Sequence, residues 1–148
     1  MAVPALRPFL AICAITGVLA GCTGKGSLGP EADFFSGRTQ GRVYALDGQS
    51  FEVVPPIGAP GAAYWCTAAE FARRELGADW RQDIYVLKGR APSTVTGRID
   101  TVTFTLTEVP RAEEPGFFRQ TYAFKPGDRF SVTSAQGLCQ ELAPVIFF

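Results

Sequence analysis

The sequence of 148 residues contains no histidine. Histidine is the usual general base beside a serine or cysteine nucleophile and the commonest metal ligand. Its absence excludes, within this chain, a Ser-His-Asp triad, a Cys-His pair and a histidine-ligated metal site. The sequence also shows no metal-ligand spacing and no glycine-rich phosphate motif. We therefore expect no metal and no cofactor.

The sequence has no excess of charge of either sign, since Lys plus Arg and Asp plus Glu number 14 each. A neutral chain is not expected to bind nucleic acid, because that binding depends on neutralising phosphates. Eleven of the 14 basic residues are arginine. The arginines form no block along the chain, so a coding bias explains them better than anion recognition, which stays open as the alternative.

The apolar run at residues 9–19 is too short to cross a membrane, which takes about 20 residues. It follows one positive residue, Arg7, and leads into small residues. A positive start, a short apolar segment and small residues together predict a secretory signal peptide over residues 1–21. The alternative is an uncleaved membrane anchor.

The apolar run ends in Leu19-Ala20-Gly21-Cys22, which resembles the lipobox of bacterial lipoproteins. The resemblance implies cleavage before Cys22, lipid on its sulfur and acylation of the new amino terminus. Several acyl chains make such an anchor stable. The resemblance also implies a periplasmic domain anchored in the cell envelope, and Thr23 favours the outer membrane. The rest of the chain is similar only in general character to small uncharacterised proteobacterial envelope proteins, which implies no chemistry.

Residues 23–30 are rich in glycine and lack apolar periodicity, which predicts a flexible tether that, with its transition, covers residues 22–37. Phe34 and Phe35 offer an alternative, in which they pack on the domain and end the tether early. Residues 38–148 have the length of one ordinary domain.

Two cysteines remain in this domain, Cys66 and Cys139. In an oxidising envelope two such thiols usually form a disulfide. The bridge would close a loop of about 70 residues and stabilise the domain by on the order of 4 kcal/mol. The rival hypothesis is a reactive thiol at Cys66, which needs a nearby cation or a helix N-terminus to lower its pKa.

The pattern of apolar residues predicts one helix over about residues 62–76, with Gly77 ending it. Its start is ambiguous, because Thr67-Ala68-Ala69-Glu70 is also a capping box with Thr67 as the N-cap. Short β-rich segments surround the helix, which predicts an α+β fold with a small, mostly antiparallel sheet. The predicted strands cover residues 43–46, 51–54, 84–87, 101–107, 121–124, 129–133 and 145–148.

Four aromatic residues near the predicted helix, Tyr64, Trp65, Trp80 and Tyr85, are a weak candidate platform for a sugar or peptide ligand. The alternative is that they belong to the core, since Trp65 lies on the apolar helix face. Threonines alternate with apolar residues over 101–107, and we interpret them as the solvent-facing side of a half-buried sheet.

These features favour a membrane-anchored lipoprotein that acts as a non-enzymatic binding or interaction module. The expected partners are the membrane, through lipid on Cys22, and an envelope protein or cell-wall material. One alternative is a structural lipoprotein that supports an envelope assembly. The other is a cell-wall-directed enzyme that uses Cys66 or paired carboxylates, for which the sequence offers Glu70 with Glu75 and residues 113–114.

Overall fold

The computed structural model describes residues 29–111 and 121–142, and it confirms an α+β fold with an antiparallel sheet. The six strands lie in the sheet in the order β1-β2-β3-β5-β4-β6, and each neighbouring pair is antiparallel. The strands are β1 (Phe34–Phe35), β2 (Arg42–Ala45), β3 (Ser50–Val54), β4 (Asp83–Ala91), β5 (Thr101–Thr105) and β6 (Arg129–Ser131).

The predicted long helix is α1, Gly61–Arg74. It begins after Pro60, and Thr67 lies inside it with its hydroxyl donating to the Ala63 carbonyl at 2.7 Å. The capping-box start is therefore wrong. Every residue from position 61 to 72 is buried, so α1 has no solvent-exposed face over most of its length. The chain leaves the helix through Gly77, whose positive φ of 66° suits glycine.

The core lies between α1 and one face of the sheet. Trp65 is its centre, with ring centroids 4.9 Å from Phe104 and 4.8 Å from Phe130. Phe51 on β3 packs against Phe71 of α1 at 4.7 Å. These edge-to-face and tilted ring contacts stabilise the core beyond the apolar area they bury.

The opposite face of the sheet is also buried along β5, which corrects the interpretation of the threonine series. Thr101, Thr103 and Thr105 are buried rather than solvent-facing. The loop between β4 and β5, residues 92–100, hydrogen-bonds to this face, and Thr101 donates to the Ala91 carbonyl at 2.9 Å. Only Thr107, beyond the end of β5, is exposed.

The predicted hairpin over residues 121–133 is wrong, although its turn is present. The Asp128 N–H donates to the Lys125 carbonyl at 2.9 Å, and Gly127 has the positive φ of a type II turn. Residues 121–123 are helical, however, and β6 pairs with β4. Two elements that the sequence did not predict follow β6: helix α2 (Val132–Gly137), capped by Ser131, and a 3-10 helix (Leu138–Glu141). The predicted strand at 145–148 lies outside the described residues.

The domain begins before residue 38, which corrects the predicted tether of residues 22–37. Phe34 and Phe35 form β1 opposite Val43 and Arg42, and the Phe34 ring lies 5.9 Å from Phe71. Phe34 and Phe35 therefore pack on the domain, as the alternative held. The predicted signal peptide and Cys22 lie outside the described residues. Within residues 29–111 and 121–142, no helix has the length and hydropathy needed to cross a bilayer.

The predicted disulfide between Cys66 and Cys139 is present. It joins α1 to the 3-10 helix across a sequence separation of 73 residues, and both sulfur-bearing residues are buried. The bridge therefore connects the middle of the core helix to the last described part of the chain.

We expect the variant Cys66→Ala/Cys139→Ala to lose on the order of 4 kcal/mol of unfolding free energy, because the bridge limits the unfolded chain over a long loop. Urea unfolding at neutral pH measures this loss. Reduced wild type is the matched control, since it lacks the bridge but keeps both side chains. A double-alanine variant as stable as the oxidised wild type would show that the bridge adds nothing.

Candidate functional site

A cleft of about 600 Å³ lies on the sheet face opposite α1, and we call it the arginine cleft. Its walls come from β1, β2, the end of β3 and the loop between β4 and β5. Its lining residues are Gly29, Pro30, Phe35, Gln40, Arg42, Tyr44, Val54, Pro55, Pro56, Thr96 and Arg98. The lining combines apolar side chains with two guanidinium groups and a tyrosine.

The alternation of β2 places Arg42 in the cleft. Val43 is buried in the core beneath α1, so its neighbours Arg42 and Tyr44 point to the other face. In the register of the sheet, Arg42 lies between Phe35 of β1 and Val54 of β3. The Arg42 side chain therefore stands between two apolar residues that also line the cleft.

A tight turn presents Arg98. The Ser93 N–H donates to the Arg98 carbonyl at 2.7 Å, and the Gly97 N–H donates back to the Ser93 carbonyl at 3.3 Å. Gly97 has a positive φ of 70°, which side-chain-bearing residues rarely adopt. The Ser93 hydroxyl accepts from the backbone N–H groups of Val95 and Thr96. The turn is thus closed by its own hydrogen bonds.

Glu52 fastens this turn to the sheet. It lies on β3 and is only 2% exposed. Its carboxylate accepts hydrogen bonds from the Ser93 hydroxyl at 2.5 Å, the Thr94 hydroxyl at 2.6 Å and the Thr94 N–H at 2.9 Å. Burial raises the pKa of Glu52, but these hydrogen bonds outweigh burial and hold the pKa below its ordinary value.

The electrostatics of the cleft favour an anion. Within the part of the chain that the structure describes, neither Arg42 nor Arg98 forms an ion pair, whereas Arg38, Arg90, Arg111 and Arg129 each face an acid. One acid, Glu31, lines an adjoining extension of about 450 Å³ together with Arg42. Guanidinium groups bind carboxylate and phosphate through paired hydrogen bonds. The cleft therefore has the groups to hold an anion.

The contact between Ser93 and Glu52 is structural rather than a nucleophile beside its base. A general base works best when its pKa lies near the operating pH, and the pKa of Glu52 is lowered instead. Ser93 is buried, and its hydroxyl already donates one hydrogen bond and accepts two. Both side chains therefore serve to position the loop.

The structure does not bring the four aromatic candidates together on a surface. Tyr64 and Trp65 are 0% exposed, so the core alternative is correct for both. Tyr85 is buried on β4, and Trp80 is 46% exposed with Arg73 stacked over its ring at 4.8 Å. Burial raises the pKa of Tyr64, whose hydroxyl accepts from Arg90 at 3.2 Å.

The carboxylate candidates are likewise separate. Glu70 is buried beside the disulfide, with one carboxylate oxygen and the two sulfurs all within 4.8 Å of one another. Its Oε2 has no hydrogen-bond partner among the described residues. Disulfide sulfurs are not thiolates, so these atoms do not form a metal site in the oxidised protein, and Cys66 offers no free thiol. Glu75 is exposed, and residues 113–114 lie outside the described residues.

Sequence reasoning missed Arg42 and Arg98, which line the cleft, and Glu52, which holds the turn that carries Arg98. The excess of arginine over lysine was the only signal for the first two. Glu52 stands between Phe51 and Val53, a position that the alternation of a strand would assign to solvent. No protein-family model, no curated protein and no solved structure matches this chain.

We expect Glu52→Gln to lower the unfolding free energy by about 2 kcal/mol at neutral pH, because an amide replaces a buried charged acceptor of three hydrogen bonds. The lowered folded pKa makes this contribution complete above the unfolded pKa of about 4.3, and it is lost as pH falls through the folded value. Denaturant unfolding between pH 7 and pH 3 measures both effects, and the wild-type advantage should shrink toward the acid end.

The exposed residue Glu108 supplies a matched control, since Glu108→Gln makes the same chemical change away from the loop. Equal losses of stability for Glu52→Gln and Glu108→Gln would contradict the assigned role of Glu52.

Proposed function

We propose that this chain is a membrane-anchored envelope lipoprotein that works as a non-enzymatic binding module, with the arginine cleft as its site for an anionic group. The observation that carries the proposal is the presence of Arg42 and Arg98 in one cleft without an acid partner among the described residues. An unpaired guanidinium group in a structure rich in arginine–acid pairs is available for a ligand.

The shape of the cleft supports binding of a small anion carried on an apolar group. Phe35, Val54, Pro55 and Pro56 form a surface beside the two guanidinium groups. Ligand sites commonly combine apolar side chains with polar groups that fix orientation. The resemblance of Leu19-Ala20-Gly21-Cys22 to a lipobox supports the anchor.

Inorganic phosphate is the probe that tests the cleft. We expect a saturable change in the NMR amide signals of the cleft residues on titration. Arg42→Gln and Arg98→Gln should each weaken phosphate binding about tenfold, since a hydrogen bond to a charged group contributes about 1.5 kcal/mol or more. Arg74→Gln is the control, because Arg74 is exposed at the end of α1 and lies outside the cleft. Absence of saturation, or equal loss in all three variants, would refute the cleft as an anion site.

The anchor has its own test. We expect Cys22→Ala to prevent triacylation and to release the protein from the membrane fraction, as an unprocessed or soluble form. The reason is that no sulfur remains at position 22 for the lipid. Metabolic labelling with a fatty acid, followed by membrane fractionation, measures this. Cys13→Ala is the control, since Cys13 lies within the predicted signal peptide. Continued lipid labelling of the Cys22 variant would overturn the anchor assignment.

A further inference from the structure

Two isoleucines project from loops beside the arginine cleft. Ile57 is 91% exposed on the loop after β3, and Ile99 is 84% exposed on the loop before β5. Both line one depression of about 300 Å³, which shares Pro56 and Arg98 with the arginine cleft. Single exposed apolar residues are ordinary on a protein surface. Asp100 also lines this depression, but its carboxylate is paired with Arg90 at 2.9 Å. Two highly exposed isoleucines on separate loops, beside two arginines that have no acid partner among the described residues, therefore form a combined apolar and cationic surface.

The amino-terminal end of the described chain reaches the same cleft. Gly29 and Pro30 line it, and Cys22 stands about seven residues earlier in the sequence. Seven residues span at most about 25 Å when fully extended. A lipid on Cys22 therefore keeps the arginine cleft within about 25 Å of the membrane that holds the lipid.

From these observations we propose that the face carrying the arginine cleft lies on the anchoring membrane. Arg42 and Arg98 hold the phosphate of an anionic phospholipid headgroup, while Ile57 and Ile99 enter the interfacial layer. This inference rests on the proposed function and names its ligand class. Cationic residues are attracted to anionic headgroups, and apolar side chains gain free energy by leaving water at the interface.

A free phosphate compound shares the headgroup's chemistry, and the geometry favours the lipid over it. A soluble anion uses the two arginines but gives no role to the exposed isoleucines. It also gains nothing from the short distance between the cleft and Cys22, whereas a tethered site meets the lipids of its own membrane at high effective concentration. The chain end that leads to the anchor, the two guanidinium groups and the two isoleucines lie on one face. A membrane surface can therefore contact all of them at the same time.

The test uses mature protein, residues 22–148, with Cys22→Ser so that the lipid anchor does not mask weaker binding. Co-sedimentation compares vesicles of phosphatidylcholine with vesicles that also contain phosphatidylglycerol. We expect binding to the anionic vesicles that weakens as salt is added. Arg42→Gln and Arg98→Gln should each lower the partition coefficient about fivefold. Ile57→Ser and Ile99→Ser should each lower it about tenfold.

Arg74→Gln again serves as the charge-matched control and should bind like the parent protein. Circular dichroism and a cooperative urea transition check that each variant is folded. A parallel titration uses glycerophosphoglycerol, the soluble headgroup of phosphatidylglycerol. Headgroup binding without vesicle binding overturns the membrane inference and leaves the anion site standing. If the protein binds neither the headgroup nor the vesicles, the proposed function is overturned as well. If it binds vesicles equally well in all four variants, at Arg42, Arg98, Ile57 and Ile99, the assigned face is overturned.

Discussion

The carboxylate of Glu52 is the group on which the second face of the sheet depends. A buried carboxylate is costly unless hydrogen-bond donors surround it, and here the donors come from a single loop at Ser93 and Thr94. The demand for donors therefore holds the loop against the sheet. With the loop in place, Arg98 stands across the cleft from β2.

The two faces of the sheet are built by different chemistry. Aromatic and aliphatic side chains around Trp65 cover the face toward α1, and α1 itself is buried along most of its length. The face toward the cleft is closed by hydroxyls and a carboxylate, such as Ser50 Oγ donating to Thr105 Oγ1 at 3.2 Å. Apolar packing fixes the first face without strict geometry, whereas the second depends on donors matched to acceptors. A polar face can therefore be rigid and still border solvent.

Local sequence signals predicted the local structure well. Periodicity located α1, and the β-rich segments 43–46 and 51–54 on either side of a turn located β2 and β3. The expectation of an oxidising compartment paired Cys66 with Cys139. The arginine cleft was beyond such signals, because Arg42 and Arg98 come from distant parts of the chain and meet only through the fold. The threonine series was misjudged for the same reason, since β5 lies between β3 and β4, and Thr105 accepts from Ser50 over a separation of 55 residues. Residues 129–137 form a strand of 3 residues followed by a helix of 6 residues. Both elements are too short for the periodicity of the sequence to predict them.

Within residues 29–111 and 121–142, both outer strands of the sheet are very short. β1 has 2 residues and β6 has 3, while the strands between them are longer. A long exposed outer strand offers its backbone groups to a second chain and invites polymerisation. Proteins crowded on a surface meet their own copies often, so this hazard grows with local density. The truncated outer strands give a neighbouring copy little backbone to pair with, and the sheet can remain open without becoming a template for fibres.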